Sequence, residues 1–223
     1  MTSFRNVFVV VAPSGTGKTT LNNKILEDFP DQIEMSVSYT TRDKRAREVD
    51  GVDYNFVSKQ QFEKLVSQGD MLEWANVHGN LYGTPIQEIN RIHETGKKII
   101  LEIDYQGWKQ ARQLIKDAVA IFIMPPSLEE MWRRLETRGT DTLEVRWKRL
   151  QSARREFEAA DDYEYFVVND SLENSYNELV GVMFKGRSPR LSKKEAMEKI
   201  KKYLHDLDHA QWVKDIEQQI NRR

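Results

Sequence analysis

The chain has no cysteine, which removes disulfide bridges, thiolate metal sites and a thiol nucleophile from consideration. Long hydrophobic runs are missing too. No window approaches the roughly 18 apolar residues of a membrane-spanning helix, so no membrane association is expected. Charge of one sign is lacking: 34 Lys and Arg face 35 Asp and Glu, a net charge of −1. A nucleic-acid binder more often carries a basic excess, and no nucleic-acid partner is expected. The four histidines do not gather. His205 and His209 stand four residues apart, but without a third ligand or an HExxH pattern a solvated helix face is favoured over a metal site. No Ser/His/Asp constellation, internal repeat or low-complexity segment is evident. Met1–Arg5 runs straight into an apolar strand, with neither a charged leader nor a long hydrophobic segment, which predicts no signal peptide and a cytoplasmic location.

What is present suffices for a folded enzyme-sized core. An apolar fraction of 39% over 223 residues can build one domain with insertions or two small ones. Val7–Val11 is a continuous run of β-branched and aromatic residues, the pattern of a strand buried on both faces. Met35–Val37, Ile99–Ile103, Val119–Ile123 and Tyr165–Val168 read the same way. Helical periodicity fills the gaps at Leu21–Phe29, Gln87–Glu94, Leu128–Glu136, Glu144–Ala159 and Leu172–Phe184. Capping boxes at Ser58…Gln61, Ser127…Glu130 and Ser192…Glu195 mark helix starts. This alternation predicts a three-layer α/β fold with a mainly parallel sheet. Two stretches break it. Residues 38–85 are polar, aromatic and Gly-rich, with short strand signals at Tyr54–Val57 and Leu81–Tyr82. Residues 127–150 hold five arginines and the turn Arg138-Gly-Thr-Asp141. Both read as insertions at one end of the sheet.

The sharpest local signal is Ala12-Pro-Ser-Gly-Thr-Gly-Lys18-Thr19, placed after a buried strand and opening a helix. That context suits a phosphate-binding loop, in which successive backbone N–H groups and a helix N-terminus cradle phosphate oxygens. Lys18 would reach the β- and γ-phosphates of a nucleotide, and the Thr19 hydroxyl would ligate Mg²⁺. Ala12 stands where the strict pattern has Gly, a modest departure because only positive φ or close phosphate approach demands Gly. Downstream, Ser36-Val-Ser38-Tyr-Thr-Thr-Arg42-Asp-Lys-Arg45-Ala-Arg-Glu48-Val-Asp-Gly51-Val-Asp-Tyr54-Asn-Phe56 concentrates arginines, hydroxyls and a tyrosine. Paired Arg forks beside Tyr hydroxyls suit a dianionic phosphate monoester; a solvated loop with incidental charges is the alternative.

That stretch is very similar to the motif by which the guanylate kinase family grips GMP. Leu72-Glu73-Trp74-Ala75, Gly79-Asn-Leu-Tyr82-Gly-Thr84, Leu101-Glu-Ile-Asp104-Tyr-Gln-Gly107, Arg138-Gly-Thr-Asp141 and Val168-Asn169-Asp170 follow in the family's order. The resemblance spans about residues 5–184. It implies a P-loop NTPase fold: a core of 1–37, 86–126 and 151–184, a GMP-binding insertion at 38–85 and an Arg-rich lid at 127–150. It implies in-line phosphoryl transfer from ATP to GMP with Mg²⁺. Arg42, Arg45, Tyr54 and Tyr82 are then expected to hold the GMP phosphate, and Ser38, Glu73 and Thr84 to read the guanine edge. Guanine presents N1–H and a 2-amino group side by side, which one carboxylate can accept together; adenine offers an acceptor at N1 instead.

By the same resemblance ATP is expected on Pro13, Ser14, Gly15, Thr16, Gly17, Lys18, Thr19 and Thr20, with Arg134 and Asn169. Lys18, Arg42, Arg138 and Arg149 are expected to act in catalysis. Thr19 and Asp104, the latter ending a strand that resembles Walker B, are the expected metal ligands. Glu102 is placed with the GMP site; the family usually has Asp there, and the longer side chain shifts its reach. Lys44 and Arg47 replace the family's usual Pro and Gly, which predicts a less rigid loop. Two rival readings compete: a non-catalytic interaction module of the same fold, which the presence of Lys18, Thr19, Arg42, Arg45, Glu73 and Asp104 disfavours, and a kinase of another phosphorylated acceptor, which Glu73 and the Ser38 motif disfavour.

The motifs end near Phe184. Residues 185–223 read as a linker and a helical C-terminal extension, with 11 Lys and Arg against 6 Asp and Glu. Apolar residues at Ala196, Ile200, Tyr203, Leu207, Ala210, Val213, Ile216 and Ile220 form one stripe along a single helix, or along two broken near Asp208. Such a stripe must pack on something. Packing on its own core is the first expectation and a partner subunit in a homo-oligomer the second; a nucleic acid comes last, because the basic excess is spread among acids.

Overall fold

The computed structural model describes residues 4–77, 79–137 and 141–222. The chain runs β1 (Val7–Val11), α1 (Lys18–Asp28), β2 (Ile33–Met35), β3 (Tyr39–Thr40), β4 (Asn55–Phe56), α2 (Lys59–Gln68), β5 (Met71–Val77), β6 (Asn80–Pro85) and α3 (Ile86–Glu94). It continues through β7 (Lys98–Leu101), α4 (Tyr105–Ala111), β8 (Val119–Met124), α5 (Leu128–Thr137), α6 (Leu143–Glu158), β9 (Tyr165–Val168), α7 (Leu172–Lys185), α8 (Lys193–His209) and α9 (Gln211–Asn221). The larger sheet has the order β2-β7-β1-β8-β9 and the smaller one β4-β3-β6-β5. This is the expected α/β class with a parallel core sheet. Two compact units emerge: the described residues of Met1–Val9 with Leu26–Val119, and those of Val10–Ile25 with Ala120–Arg223.

In the first unit β1 and β2 both pair with β7 in parallel, with Val7 opposite Ile99 and Ile33 opposite Lys98. Val7, Val9, Ile99, Ile100 and Leu101 are fully buried, as a strand covered on both faces requires. The smaller sheet is mixed: β3 runs parallel to β4 and antiparallel to β6, and β5–β6 is an antiparallel pair. Ser58 caps α2 with its reciprocal Gln61 partner. β2 ends earlier than the sequence pattern predicts. Ser36 N–H still donates to Ile100 O at 2.9 Å, but Val37 N–H turns to the Glu88 carboxylate at 3.0 Å and leaves the ladder.

In the second unit β8 and β9 pair in parallel, Ile121 opposite Tyr165. Phe122 stacks on Tyr163 at 5.0 Å between ring centroids and meets Phe157 and Phe166 edge-on, each at 6.2 Å. Ser127 accepts the Glu130 N–H at 3.1 Å, while the Glu130 carboxylate turns to Arg133 and Arg134. Ser192 forms the reciprocal box with Glu195. The tail stripe is realised as two helices parted at Ala210, whose ψ of 134° is extended, two residues beyond the expected break. Ala196, Ile200, Tyr203, Leu207 and Val213 are buried, with α8 and α9 packed on α6 of the same unit. That favours the own-core reading.

Candidate active site

The predicted phosphate loop joins β1 to α1. Gly15 and Gly17 adopt φ of 89° and 91°, a region that L side chains rarely enter. A Cβ on Gly17 would meet Asn169 Nδ2 at 2.5 Å, and one on Gly15 would crowd Leu135 and Met131 O at 3.2 Å. The buried Thr16 donates its hydroxyl to Pro13 O at 2.8 Å, closing the turn. Asn169 follows β9 and donates Nδ2 to Thr16 O at 2.6 Å. Residues 12–19 with Glu156 line a cavity of about 270 Å³. Lys18 is half-buried in the first turn of α1, and Thr19 and Thr20 are exposed there. The loop thus lines a cavity beside a helix N-terminus, a setting suited to polyphosphate.

Two of the expected lid arginines reach this loop. Arg134, on α5, donates Nε to Glu130 at 2.8 Å, Nη2 to Asn169 O at 3.0 Å and Nη1 to Thr16 O at 3.4 Å. Arg149, on α6, donates Nη1 to Ser14 Oγ at 2.9 Å and pairs through Nε with Asp141 at 3.1 Å. Arg138 lies outside the described residues. Of the arginines not assigned to the site, Arg133 is solvent-exposed on Glu130, while Arg146 lies over the Trp132 ring at 5.4 Å.

The acceptor candidates gather in the first unit. Arg42 grips Glu48 with two N–H donors, at 3.0 and 2.8 Å, and gives Nε to Tyr82 Oη at 3.1 Å. Its guanidinium lies 5.7 Å from the Tyr54 ring centroid, and the Tyr54 and Tyr82 rings meet edge-on at 5.8 Å. The Glu48 hydrogen bonds raise the Arg42 pKa and hold Glu48 below the usual carboxylate range. Burial pushes the Tyr54 hydroxyl up. Arg45 is less engaged: its side chain is 76% exposed and reaches Glu48 only at 3.9 Å. Around Lys44 and Arg47 the loop is drawn together by Glu48, which accepts the Arg45 N–H at 2.9 Å. Glu48 is the organising residue here, and only its place in the motif signals it.

Deeper in the same unit the β5–β6 register sets Glu73 opposite Thr84. Glu73 is 6% exposed and Thr84 fully buried. Ser38 Oγ and Thr84 Oγ1 share a hydrogen bond of 3.1 Å. Desolvation pushes the Glu73 pKa up to about 7; a hydrogen bond with Thr84 lowers it and nearby Asp104 raises it. Glu102 is half-buried, and its charge is felt at Tyr54. Asp104 is exposed and caps α4, accepting the Gly107 N–H at 2.8 Å. Gly107 has a steric role that the motif alone does not explain: a Cβ there would meet Glu73 Oε2 at 2.8 Å.

A model of the guanylate kinase family matches residues 4–186. The chain belongs to the guanylate kinase family. It is an enzyme, a kinase. The guanylate kinase of Chromobacterium violaceum is 47% identical over 178 residues, which cover 80% of this chain and 84% of that one. The guanylate kinase of Neisseria gonorrhoeae is 44% identical over 185 residues, covering 82% and 90%. A crystal structure of guanylate kinase from Anaplasma phagocytophilum superposes with a TM-score of 0.64 at 31% identity, covering 89% of this chain and 96% of that one. The segment after residue 186, with α8 and α9, lies beyond the family match.

Among the described residues no three His, Asp or Glu side chains form a metal-binding group, and no helix is long and apolar enough to cross a membrane. The Thr19 hydroxyl and the Asp104 carboxylate are each a hard oxygen donor of the kind that Mg²⁺ takes beside phosphate and water oxygens.

Proposed function

We propose that the protein transfers the γ-phosphoryl group of ATP to GMP, giving ADP and GDP, in the cytoplasm. The observation that carries the reading is Glu73: a buried carboxylate beside Thr84 and Ser38, in the unit that also gathers Arg42, Tyr54 and Tyr82. One carboxylate accepting guanine N1–H and N2–H offsets its desolvation, and no other common base presents that donor pair. Arg42, Arg45, Tyr54 and Tyr82 take the acceptor phosphate, which competes with Glu48 for the Arg42 fork. Glu102 serves this site through its charge near Tyr54.

Residues 38–85 act in this reading as the acceptor-binding insertion, 127–150 as the lid, and 185–223 as an added brace. The loop Pro13-Ser-Gly-Thr-Gly-Lys18-Thr-Thr20 binds the ATP phosphates, and Asn169 and Arg134 hold the loop and the adenine side. Thr19 and Asp104 would hold Mg²⁺, which when bound neutralises charge between phosphate oxygens. Lys18, Arg42, Arg138 and Arg149 stabilise charge on the phosphoryl group in flight. In-line transfer needs no covalent intermediate; the residues position two nucleotides and exclude water.

ADP release with GMP, dGMP, AMP, CMP and UMP tests this. GMP should exceed AMP and the pyrimidine nucleotides by about 10³-fold or more in kcat/KM. Equal turnover of AMP would overturn the assignment.

A further inference from the structure

β5 is the terminal strand of its sheet, so among the described residues one side of its backbone has no strand partner there. A side chain occupies that place. The Trp74 N–H donates to Gln110 Oε1 at 3.3 Å, and Gln110 Nε2 donates to Trp74 O at 2.9 Å. The carboxamide of Gln110 thus imitates one residue of a neighbouring strand. Its Nε2 also lies 3.4 Å from Gln106 O on its own helix, which ties the clamp to α4.

The clamp sits one residue from Glu73, and α4 packs on β5. Gly107, on that helix, stands so close to Glu73 that a Cβ would be 2.8 Å from Oε2 and 3.3 Å from Cδ. The helix therefore forms the wall behind the carboxylate. Its distance from β5 decides whether Glu73 keeps its orientation, and the Gln110 clamp sets that distance. Asp104 caps the same helix, so α4 borders Glu73 of β5 at Gly107 and carries the Walker-B-like carboxylate at its start.

We propose that Gln110 is a positioning residue for guanine specificity: by fastening α4 to the Trp74 peptide it holds Glu73 where it accepts both guanine donors. This rests on the reading of Glu73 given above. A purely structural role, covering a sheet edge, would affect stability and leave base preference alone.

Gln110→Met keeps the bulk and removes both hydrogen bonds. With GMP and IMP as acceptors, the two differ only by the 2-amino group that a well-placed Glu73 uses. The variant should raise KM for GMP about tenfold with kcat and KM for ATP near wild type, and should shrink the GMP-over-IMP preference about fivefold. An unchanged preference would overturn the proposal. So would KM values for ATP and GMP rising together alongside a lowered Tm. Glu73→Gln, measured in parallel, separates the two readings. If it alters the preference and Gln110→Met does not, only the positioning role falls; if it leaves the preference unchanged, guanine reading by Glu73 falls as well.

Discussion

Glu73 keeps a carboxyl group where ionisation is costly, and its titration carries a testable sign. Burial raises its pKa from 4.5 to about 7. A group whose folded pKa lies above its unfolded value stabilises the fold fully below the unfolded value. That contribution fades as pH rises from 4.5 through about 7, so the unliganded protein loses this increment toward neutral pH. Guanine recognition has the opposite demand, since only the carboxylate accepts two donors. KM for GMP should therefore climb as pH falls below about 7, whereas the pH profile of KM for ATP, set by its own phosphate ionisation, should not depend on Glu73. Glu73→Gln should flatten that climb and cost about 1–3 kcal/mol in GMP kcat/KM. The second ionisation of the GMP phosphate near pH ~6 persists in the variant, so subtracting the two profiles isolates Glu73. Coincident profiles would refute the role.

Among the elements, the loop between β1 and α1 tolerates little change at Gly17. At Gly17 a methyl group faces two obstacles at once: a φ of 91° and an Asn169 Nδ2 only 2.5 Å from the new Cβ. The bond from Asn169 to Thr16 O, 2.6 Å long, would have to yield. Gly17→Ala should cost about 1–3 kcal/mol of stability and weaken ATP binding at least about tenfold, with GMP binding little changed. Calorimetric titration of each nucleotide checks both halves. Lys18→Met should behave differently, with a normal Tm and turnover reduced about 100-fold or more, because on the proposed reading it removes a cation at the transferring phosphate and leaves the turn in place. A Lys18→Met protein of wild-type turnover would remove the loop from the mechanism.

For the whole molecule, α8 and α9 act as a brace. Tyr203 donates its hydroxyl to Pro125 O at 2.6 Å, between β8 and α5, and its ring lies 5.3 Å from Phe157 on α6. Arg154 on α6 pairs with Asp208 at 2.5 Å. Tyr203→Phe leaves the buried Pro125 carbonyl short of its donor and should cost about 1–2 kcal/mol, a fall of a few degrees in Tm. Truncation after Phe184 removes Ile200, Tyr203, Leu207 and Val213 from the core and should lower Tm further. GMP turnover per folded molecule should stay within a few-fold, since the family match ends at residue 186. Light scattering beside the melting curve checks whether the exposed α6 face drives self-association. A truncated chain of unchanged Tm that has lost all turnover would show that the tail acts directly in the reaction.

Some of this was legible in residue order. The phosphate loop is local chemistry: consecutive N–H groups, two glycines at positive φ and a helix start within eight residues, so spacing alone specifies it. Capping at Ser58 and Ser192 is local for the same reason. The buried strands announced themselves as unbroken apolar runs. Other features depended on partners far along the chain. α4 and most of β5 carry no clear period; β5 is held by its pairing with β6, and α4 meets it where Gln110 bonds the Trp74 peptide and Gly107 makes room for Glu73. Arg149 finds Ser14, and Arg134 finds Thr16 O and Asn169 O, across separations that no local pattern encodes. Val37 leaves the ladder for Glu88. The apolar stripe of the tail obliged it to pack, while its helices came to rest on α6 and parted at Ala210. Periodicity states which face must be buried; only the folded chain decides against what, because the free energy of burial is indifferent to sequence distance.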